Sequence, residues 1–236
     1  MKLGKNLYNK DGRVLLGTNM ELTTTIIRKL HNYGIYFLYI LDSLTEDVII
    51  PDMIGDETRI QTMAAIRNLF GSIMTDTHHR RSSNQFDKEL KVALDMIIED
   101  LKNHKEGMIM LMNLSLTDHY LFQHSMNVCI FSCMIGLSEK YSRDQLSAFG
   151  LGALLHDLGK TQIPTSILNK KEKLTDEEFN MIKLHTEKGY HLLRNEANIP
   201  LLTAHCAYQH HERIDGSGYP RGIKGSEIHE YAQWIG

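Results

Sequence analysis

Between Asp118 and Lys140 the chain carries Leu121, Phe122, Met126, Val128, Ile130, Phe131, Met134 and Ile135, spaced so that a helix there has no polar side. A helix apolar all round cannot lie on a surface, so it belongs in the middle of a bundle with other helices around it. A membrane span is not expected, because the longest apolar stretch, Val128 to Leu137, is about half of the roughly 20 residues a span needs. Neighbouring segments supply the wrapping. Glu57 to Met74 and Phe86 to His104 repeat apolar residues every three or four positions and predict an antiparallel pair; in the second these are Leu90, Ala93, Leu94, Ile97, Ile98 and Leu101. Ser142 and Gln145 form a capping box for a helix over Asp144 to Leu158, ended by Gly159. Thr175 and Glu178 form a second box, opening a helix that should reach Leu193, and Pro200 starts another carrying Leu201 to His211.

The first 50 residues differ. Asp11-Gly12 between two short apolar stretches predicts a type I′ hairpin. A helix over Leu22 to Asn32, a buried strand over Ile35 to Ile40 and a short strand at Val48-Ile49-Ile50 complete a small α+β unit. The expected fold is therefore mainly α, with a unit and helical connector over residues 1–105 and an all-α bundle over residues 106–236.

Lys and Arg number 26 against 29 Asp and Glu, a net charge of −3, so nothing in the charge favours a nucleic-acid polymer or an anionic membrane as partner. Three cysteines are too few for a disulfide framework, and the opening MKLGKNLYNKDG has no apolar core for a signal peptide, so a cytoplasmic location is expected. Cys129 and Cys133, one helical turn apart among apolar residues, suit core packing, as does Cys206.

The unusual component is histidine, with 13 residues, nine of them from His119 to His229. His124 lies in the all-apolar helix, His156-Asp157 at the end of the next, His185 within Met181-Ile182-Lys183-Leu184-His185, and His210-His211 at the end of a fourth. Imidazole nitrogen and carboxylate oxygen are the ligands that a divalent Lewis acid takes, and a bundle core is where such groups converge from separate helices. A lone buried histidine is a packing residue more often than a ligand; six ligand-type side chains on four helices are not readily explained that way. His31, the pair His78-His79, His119, His191, His205 and His229 fit no ligand spacing and are expected at the surface or behind the ligands. Gly216-Ser217-Gly218-Tyr219-Pro220, following directly on His210-His211-Glu212, is a backbone-determined loop that lets chain approach a ligand closely.

His156-Asp157-Leu158-Gly159-Lys160 and His210-His211-Glu212-Arg213-Ile214-Asp215-Gly216-Ser217-Gly218-Tyr219-Pro220 resemble the two signatures of the HD-GYP family, HD-superfamily phosphodiesterases of bacterial second-messenger signalling that hydrolyse cyclic di-GMP. The resemblance runs from about Leu116 to Gly236, and His124-Ser125 with Val128, and His185 with Gly189, fit its other histidine positions. It implies an HD-type all-α bundle and metal ligation by His124, His156, Asp157, His185, His210 and His211, with Asp157 bridging two ions, iron or manganese. Asp157 and Lys160 take the catalytic places, Lys160 contacting the scissile phosphate, and Gly218 and Tyr219 face substrate or a protein partner. Members with a third metal carry Glu where this chain has Tyr120, which favours two ions.

The family also has a metal-ligating Asp after the Gly-Tyr-Pro loop, whereas beyond Pro220 this chain offers only the carboxylates Glu227 and Glu230. The expectation drawn is a domain incomplete at its C-terminal side, with low metal occupancy, weak hydrolysis and association into a homo-oligomer. The implied products are linear pGpG and, after a second cut, GMP. Two other functions fit the same ligands: an HD hydrolase of another nucleotide, such as a mixed cyclic dinucleotide or a guanosine polyphosphate, and a degenerate module that binds nucleotide or partner without cutting.

Overall fold

The computed structural model describes residues 1–9, 12–33, 35, 37–42, 53–74, 83–103, 120–196 and 199–236. The expectations for Val48-Ile49-Ile50, His78, His79 and His119 lie outside the described residues. In the front unit Lys2–Leu3 (β1) pairs antiparallel with Ile40–Leu41 (β4), and Leu7–Tyr8 (β2) with Val14–Leu16 (β3). The helix Thr24–Asn32 (α1) begins at Thr23, whose hydroxyl accepts from the Ile26 amide at 3.3 Å. Leu3, Leu7, Leu22 and Leu30 give this unit a small core of its own.

Two local expectations need correction. The hairpin is wider than a two-residue turn: the Asn9 amide donates to the Arg13 carbonyl at 2.7 Å while the Asn9 carboxamide oxygen accepts from the Arg13 amide at 3.0 Å. That side-chain bond stabilises a broader loop, with Gly12 at φ 76°. Of the buried strand expected over Ile35 to Ile40, Tyr36 lies outside the described residues; in the rest, Ile40 is in the ladder, the Tyr39 carbonyl accepts from the Gly4 amide at 2.7 Å, and Phe37 is 68% exposed. Its partner β1 is two residues long and cannot extend the ladder.

The remainder is helical. Asp56–Met74 (α2) and Ser83–Asn103 (α3) pack on each other and on Tyr120–Ser138 (α4) and Arg143–Leu155 (α5). Met63, Ile66 and Phe70 of α2, Leu94 and Ile97 of α3, Met126 and Ile130 of α4, and Leu154 of α5 form one apolar cluster, so the connector and the bundle share a core. Each such buried side chain contributes roughly 1.5–3 kcal/mol. By length and composition Leu121–Ser138 would pass for a membrane-spanning helix, beyond the shorter stretch counted from the sequence. In the fold it packs on α5, with Met126, Cys129, Ile130 and Cys133 buried. Both expected capping boxes are present, at Ser142–Gln145 and Thr175–Glu178.

After α5 come a 3₁₀ turn over Leu158–Gln162, the short helix Thr165–Leu168 (α6), Asp176–Lys183 (α7), His185–Leu193 (α8), Leu201–Gln209 (α9) and Glu230–Ile235 (α10). The single helix expected from Thr175 to Leu193 is thus broken at Leu184. Side chains take backbone acceptors there: the Ile182 carbonyl accepts from the His185 imidazole at 2.7 Å and the Lys183 carbonyl from the Thr186 hydroxyl at 3.0 Å. Such local bonds compete with the helical ladder.

Candidate metal centre

Four helices deliver their polar residues to one point. His124 comes from α4, His156 and Asp157 from the end of α5, His185 from the break between α7 and α8, and His210 and His211 from the end of α9. Gly159 makes the convergence possible, since a Cβ there would collide with the His185 carbonyl and the Gly189 amide. Only a residue without a side chain lets the turn after Asp157 lie directly on α8.

Asp157 stands in the middle and is 1% exposed at its side chain. Its Oδ2 lies 3.4 Å from His124 Nε2 and 3.3 Å from His156 Nε2, while its Oδ1 lies 3.4 Å from His185 Nε2 and 3.7 Å from His210 Nε2. Lys160 Nζ donates to Oδ2 at 2.6 Å. Among the described residues two groups can hold a metal ion, His124 with His156 and Asp157, and His185 with His210 and His211. The carboxylate turns one oxygen toward each.

The rings are oriented from behind. The Nδ1 atoms of His156 and His185 sit 2.7 Å from the carbonyls of Ala153 and Ile182, and His210 Nδ1 sits 3.0 Å from that of Ala207. A neutral ring that donates from Nδ1 presents a bare lone pair at Nε2, the form that a metal takes. Burial favours the neutral form, lowering His124 and His185 to about 4 and His211 to about 3, and lowering His210 as well. Burial acts on Asp157 in the opposite sense, but the neighbouring His156 and the Lys160 ammonium outweigh it and hold the carboxyl well below the usual range.

Two observations test whether these residues suit a cation. The Nε2 atoms of His185 and His210 face each other at 3.1 Å with both Nδ1 atoms against carbonyls. Neutral lone pairs so close repel; ligands 2.0–2.1 Å from a common ion stand roughly 3.0–3.4 Å apart. Asp157 Oδ1 is buried without a hydrogen-bond partner, an expensive state that a cation relieves. The donor set fits a divalent metal.

Of the other residues singled out in the sequence, Tyr219 stacks on the His211 ring at 4.7 Å between centroids. Gly218 is crowded by the Arg213 amide and the His211 carbonyl, leaving no room for a Cβ. His229 caps α10 by accepting from the Tyr231 amide at 3.1 Å, His205 and His191 lie against Tyr190, and His31 is exposed. Glu230 accepts from Tyr141 Oη at 2.7 Å and Glu227 from the Lys224 amide at 3.1 Å, so both carboxylates beyond Pro220 are engaged elsewhere.

Three residues beside the centre were not singled out in the sequence. Glu212 is buried and clamps the glycine loop, accepting from the Arg221 amide at 2.7 Å and the Ile223 amide at 3.2 Å. A carboxylate between two histidines and a glycine loop is the signal that could have identified it. Phe179 and Lys183 of α7 reach toward Tyr219, and their i, i+4 spacing, which puts them on one face, was the available clue.

The helical bundle gathers five imidazoles around one buried carboxylate, with the adjacent pair His156-Asp157 at its centre. The chain belongs to the HD-domain family, whose model matches residues 108–236. Within that class the HD-GYP resemblance holds, and so does the fold expected from it. The chain is 34% identical over 135 residues to a cyclic di-GMP phosphodiesterase of Pseudomonas aeruginosa, covering 57% of this chain and 33% of that protein. It is 30% identical over 151 residues to the 3'3'-cGAMP-specific phosphodiesterase 1 of Vibrio cholerae, covering 64% of this chain and 33% of that one. The chain thus spans about a third of the length of these curated relatives. An HDG"Y"P protein from Bdellovibrio bacteriovorus has the same fold, with a TM-score of 0.58 at 17% identity over 100% of this chain and 81% of that one.

Proposed function

We propose that this chain is a metal-dependent phosphodiesterase that hydrolyses cyclic di-GMP to linear pGpG and, by a second cut, to GMP. The observation that carries the reading is Asp157, buried between two histidine groups with one oxygen toward each and no hydrogen bond to Oδ1. His124, His156 and Asp157 would hold one divalent ion, and His185, His210, His211 and Asp157 a second, iron or manganese by resemblance. Bound ions of this kind supply an activated water and positive charge at the phosphate oxygens.

The chain's own residues do the rest. The Nδ1 contacts to Ala153, Ile182 and Ala207 keep the rings aimed inward before substrate arrives, so little reorganisation is needed during reaction. Lys160 adds a mobile positive charge for the scissile phosphate. Glu212 holds the loop bearing Gly218 and Tyr219 as a wall beside the centre. In the overall reaction the water oxygen ends on phosphorus, the bond from phosphorus to the 3′ oxygen breaks, and that oxygen gains a proton.

A second reading, hydrolysis of the mixed dinucleotide 3'3'-cGAMP, is favoured by the Vibrio relative, which aligns with more of this chain than the Pseudomonas one. Residues 1–105 are proposed as a regulatory unit. Tyr8 Oη donates to Asp56 at 2.8 Å, the Arg59 guanidinium lies 4.1 Å over the Tyr8 ring, and α2 packs on the turn that carries Lys160. Cytoplasmic location is supported by three free, buried cysteines, and self-association, with protein contacts at the Gly-Tyr-Pro loop, is open to sedimentation analysis. The deciding experiment loads the chain anaerobically with Fe(II) or Mn(II), counts metal per chain, and assays both dinucleotides. Turnover that depends on metal supports hydrolysis; tight nucleotide binding without turnover by the loaded chain makes it a degenerate binding module.

A further inference from the structure

Beside the centre, α7 presents an aromatic and a cation that the hydrolytic reading leaves unused. Phe179 is 44% exposed. Its ring meets that of Tyr219 nearly edge-on, at 80° and 6.5 Å between centroids. Tyr219 in turn stacks on His211, one of the candidate ligands. Lys183 Nζ sits 4.7 Å from the Phe179 ring and 5.8 Å from the Tyr219 ring, while donating to Asn180 Oδ1 at 3.1 Å. A partly exposed aromatic ring, with an ammonium over it, thus continues from the candidate ligand His211 through Tyr219.

The chemistry of such a surface is specific. A nucleobase stacks on an exposed aromatic ring, and an ammonium already drawn to these rings adds attraction to a bound π-system. Guanine also offers two adjacent acceptors, O6 and N7, to a lysine, whereas adenine puts a donor amine beside N7. A dinucleotide whose scissile phosphate lies at Asp157 extends its bases away from the metal ligands, and the Tyr219–Phe179 surface leads in that direction.

We propose that Phe179 and Lys183 form a base-binding wall that positions a purine of the substrate, Phe179 by stacking and Lys183 by reaching the acceptor edge of guanine. This deepens the hydrolytic reading and rests on it for the placement of the phosphate. Phe179 and Lys183 are positioning residues and do not touch the reacting atoms.

The test separates base recognition from chemistry at the phosphate. In the metal-loaded full chain, Phe179→Ala should raise KM for cyclic di-GMP about tenfold with little change in kcat. Hydrolysis of bis(p-nitrophenyl) phosphate, which has no nucleobase, should change by less than about twofold. Phe179→Leu keeps the bulk against Tyr219 but removes the π-face, and should behave like Phe179→Ala; Phe179→Trp should restore KM. Lys183→Gln should narrow the preference for cyclic di-GMP over cyclic di-AMP. As a readout independent of turnover, fluorescence of the metal-free Phe179→Trp chain should be quenched by cyclic di-GMP beyond the change given by Trp234 in the parent chain. Unchanged KM in both truncations with no quenching overturns the wall and leaves hydrolysis standing. Equal losses on both substrates make Phe179 structural and also overturn it. Quenching without any cleavage by the parent supports the wall and removes the hydrolytic reading; absence of both removes both.

Discussion

Lys160 Nζ lies 2.6 Å from Asp157 Oδ2, the carboxylate oxygen that also faces His124 at 3.4 Å and His156 at 3.3 Å. The ammonium occupies the side of the carboxylate where the first histidine group could hold an ion, and it neutralises a charge that is otherwise almost wholly buried. An ion held there would take the place of the lysine on that oxygen, and Lys160, in the 3₁₀ turn and partly exposed, would be free to turn toward a phosphate. Lys160→Ala should therefore keep its metal and lose turnover by about tenfold or more, or roughly 1.4 kcal/mol of transition-state stabilisation. Metal analysis beside steady-state kinetics checks this, and normal turnover would remove the phosphate contact.

Removing a candidate ligand should have the opposite pattern. His156→Ala and Asp157→Ala are expected to lose bound metal and all hydrolysis, while the helical circular dichroism persists because the apolar cluster around α5 is intact. Full metal stoichiometry in either variant would show that the residue is not a ligand.

Acid should weaken the metal-free chain in a defined window. His124 and His185 titrate near 4 and His211 near 3 in the fold, chiefly through burial, against 6.5 for a free ring. Below about pH 6.5 the unfolded chain binds protons that the folded chain refuses, so the stability present above that pH is lost progressively toward pH 4. Urea unfolding at pH 7.5 and pH 5 should give a lower midpoint at pH 5, and a midpoint independent of pH would contradict the assignment of neutral rings.

Glu212 offers a test of the loop. Glu212→Ala leaves the part-buried Arg221 amide and the buried Ile223 amide without their acceptor, costing about 1–3 kcal/mol of stability. It should raise KM more than it lowers metal content, because the loop carries Tyr219 and His211 is held by α9. Thermal denaturation, metal analysis and kinetics on one preparation would separate these effects.

The shared core makes a last prediction. Ile97 of α3 is fully buried in the same cluster as α4 and α5, so Ile97→Ala should destabilise the bundle by about 2–5 kcal/mol, measured by urea unfolding followed at helical circular dichroism. A loss below about 0.5 kcal/mol would mean that α3 is not integral to the bundle.

Much of this molecule is legible along the chain because its signals are local. The apolar α4, the capping boxes at Ser142 and Thr175, and the ligand types at His156-Asp157 and His210-His211 each depend on residues a few positions apart, where helical periodicity and hydrogen-bond chemistry decide. His124 and His185 too could be singled out from residue type and helix placement. What tertiary structure alone decided is how these pieces meet. Asp157 turns one oxygen to each histidine group because Gly159 lets its turn lie against α8. His185 points inward because its own imidazole and Thr186 interrupt the helix expected to run through it. Ile35 to Ile40 reads as a buried strand by composition, yet the short β1 pairs its end at Ile40, and Phe37 stays in solvent. Phe179 and Lys183 read as ordinary residues of a capped helix until the loop from α9 brings Tyr219 beside them. Sequence spacing specifies which side chains share a helix face; the distance between faces on different helices is set by the packing of the whole core.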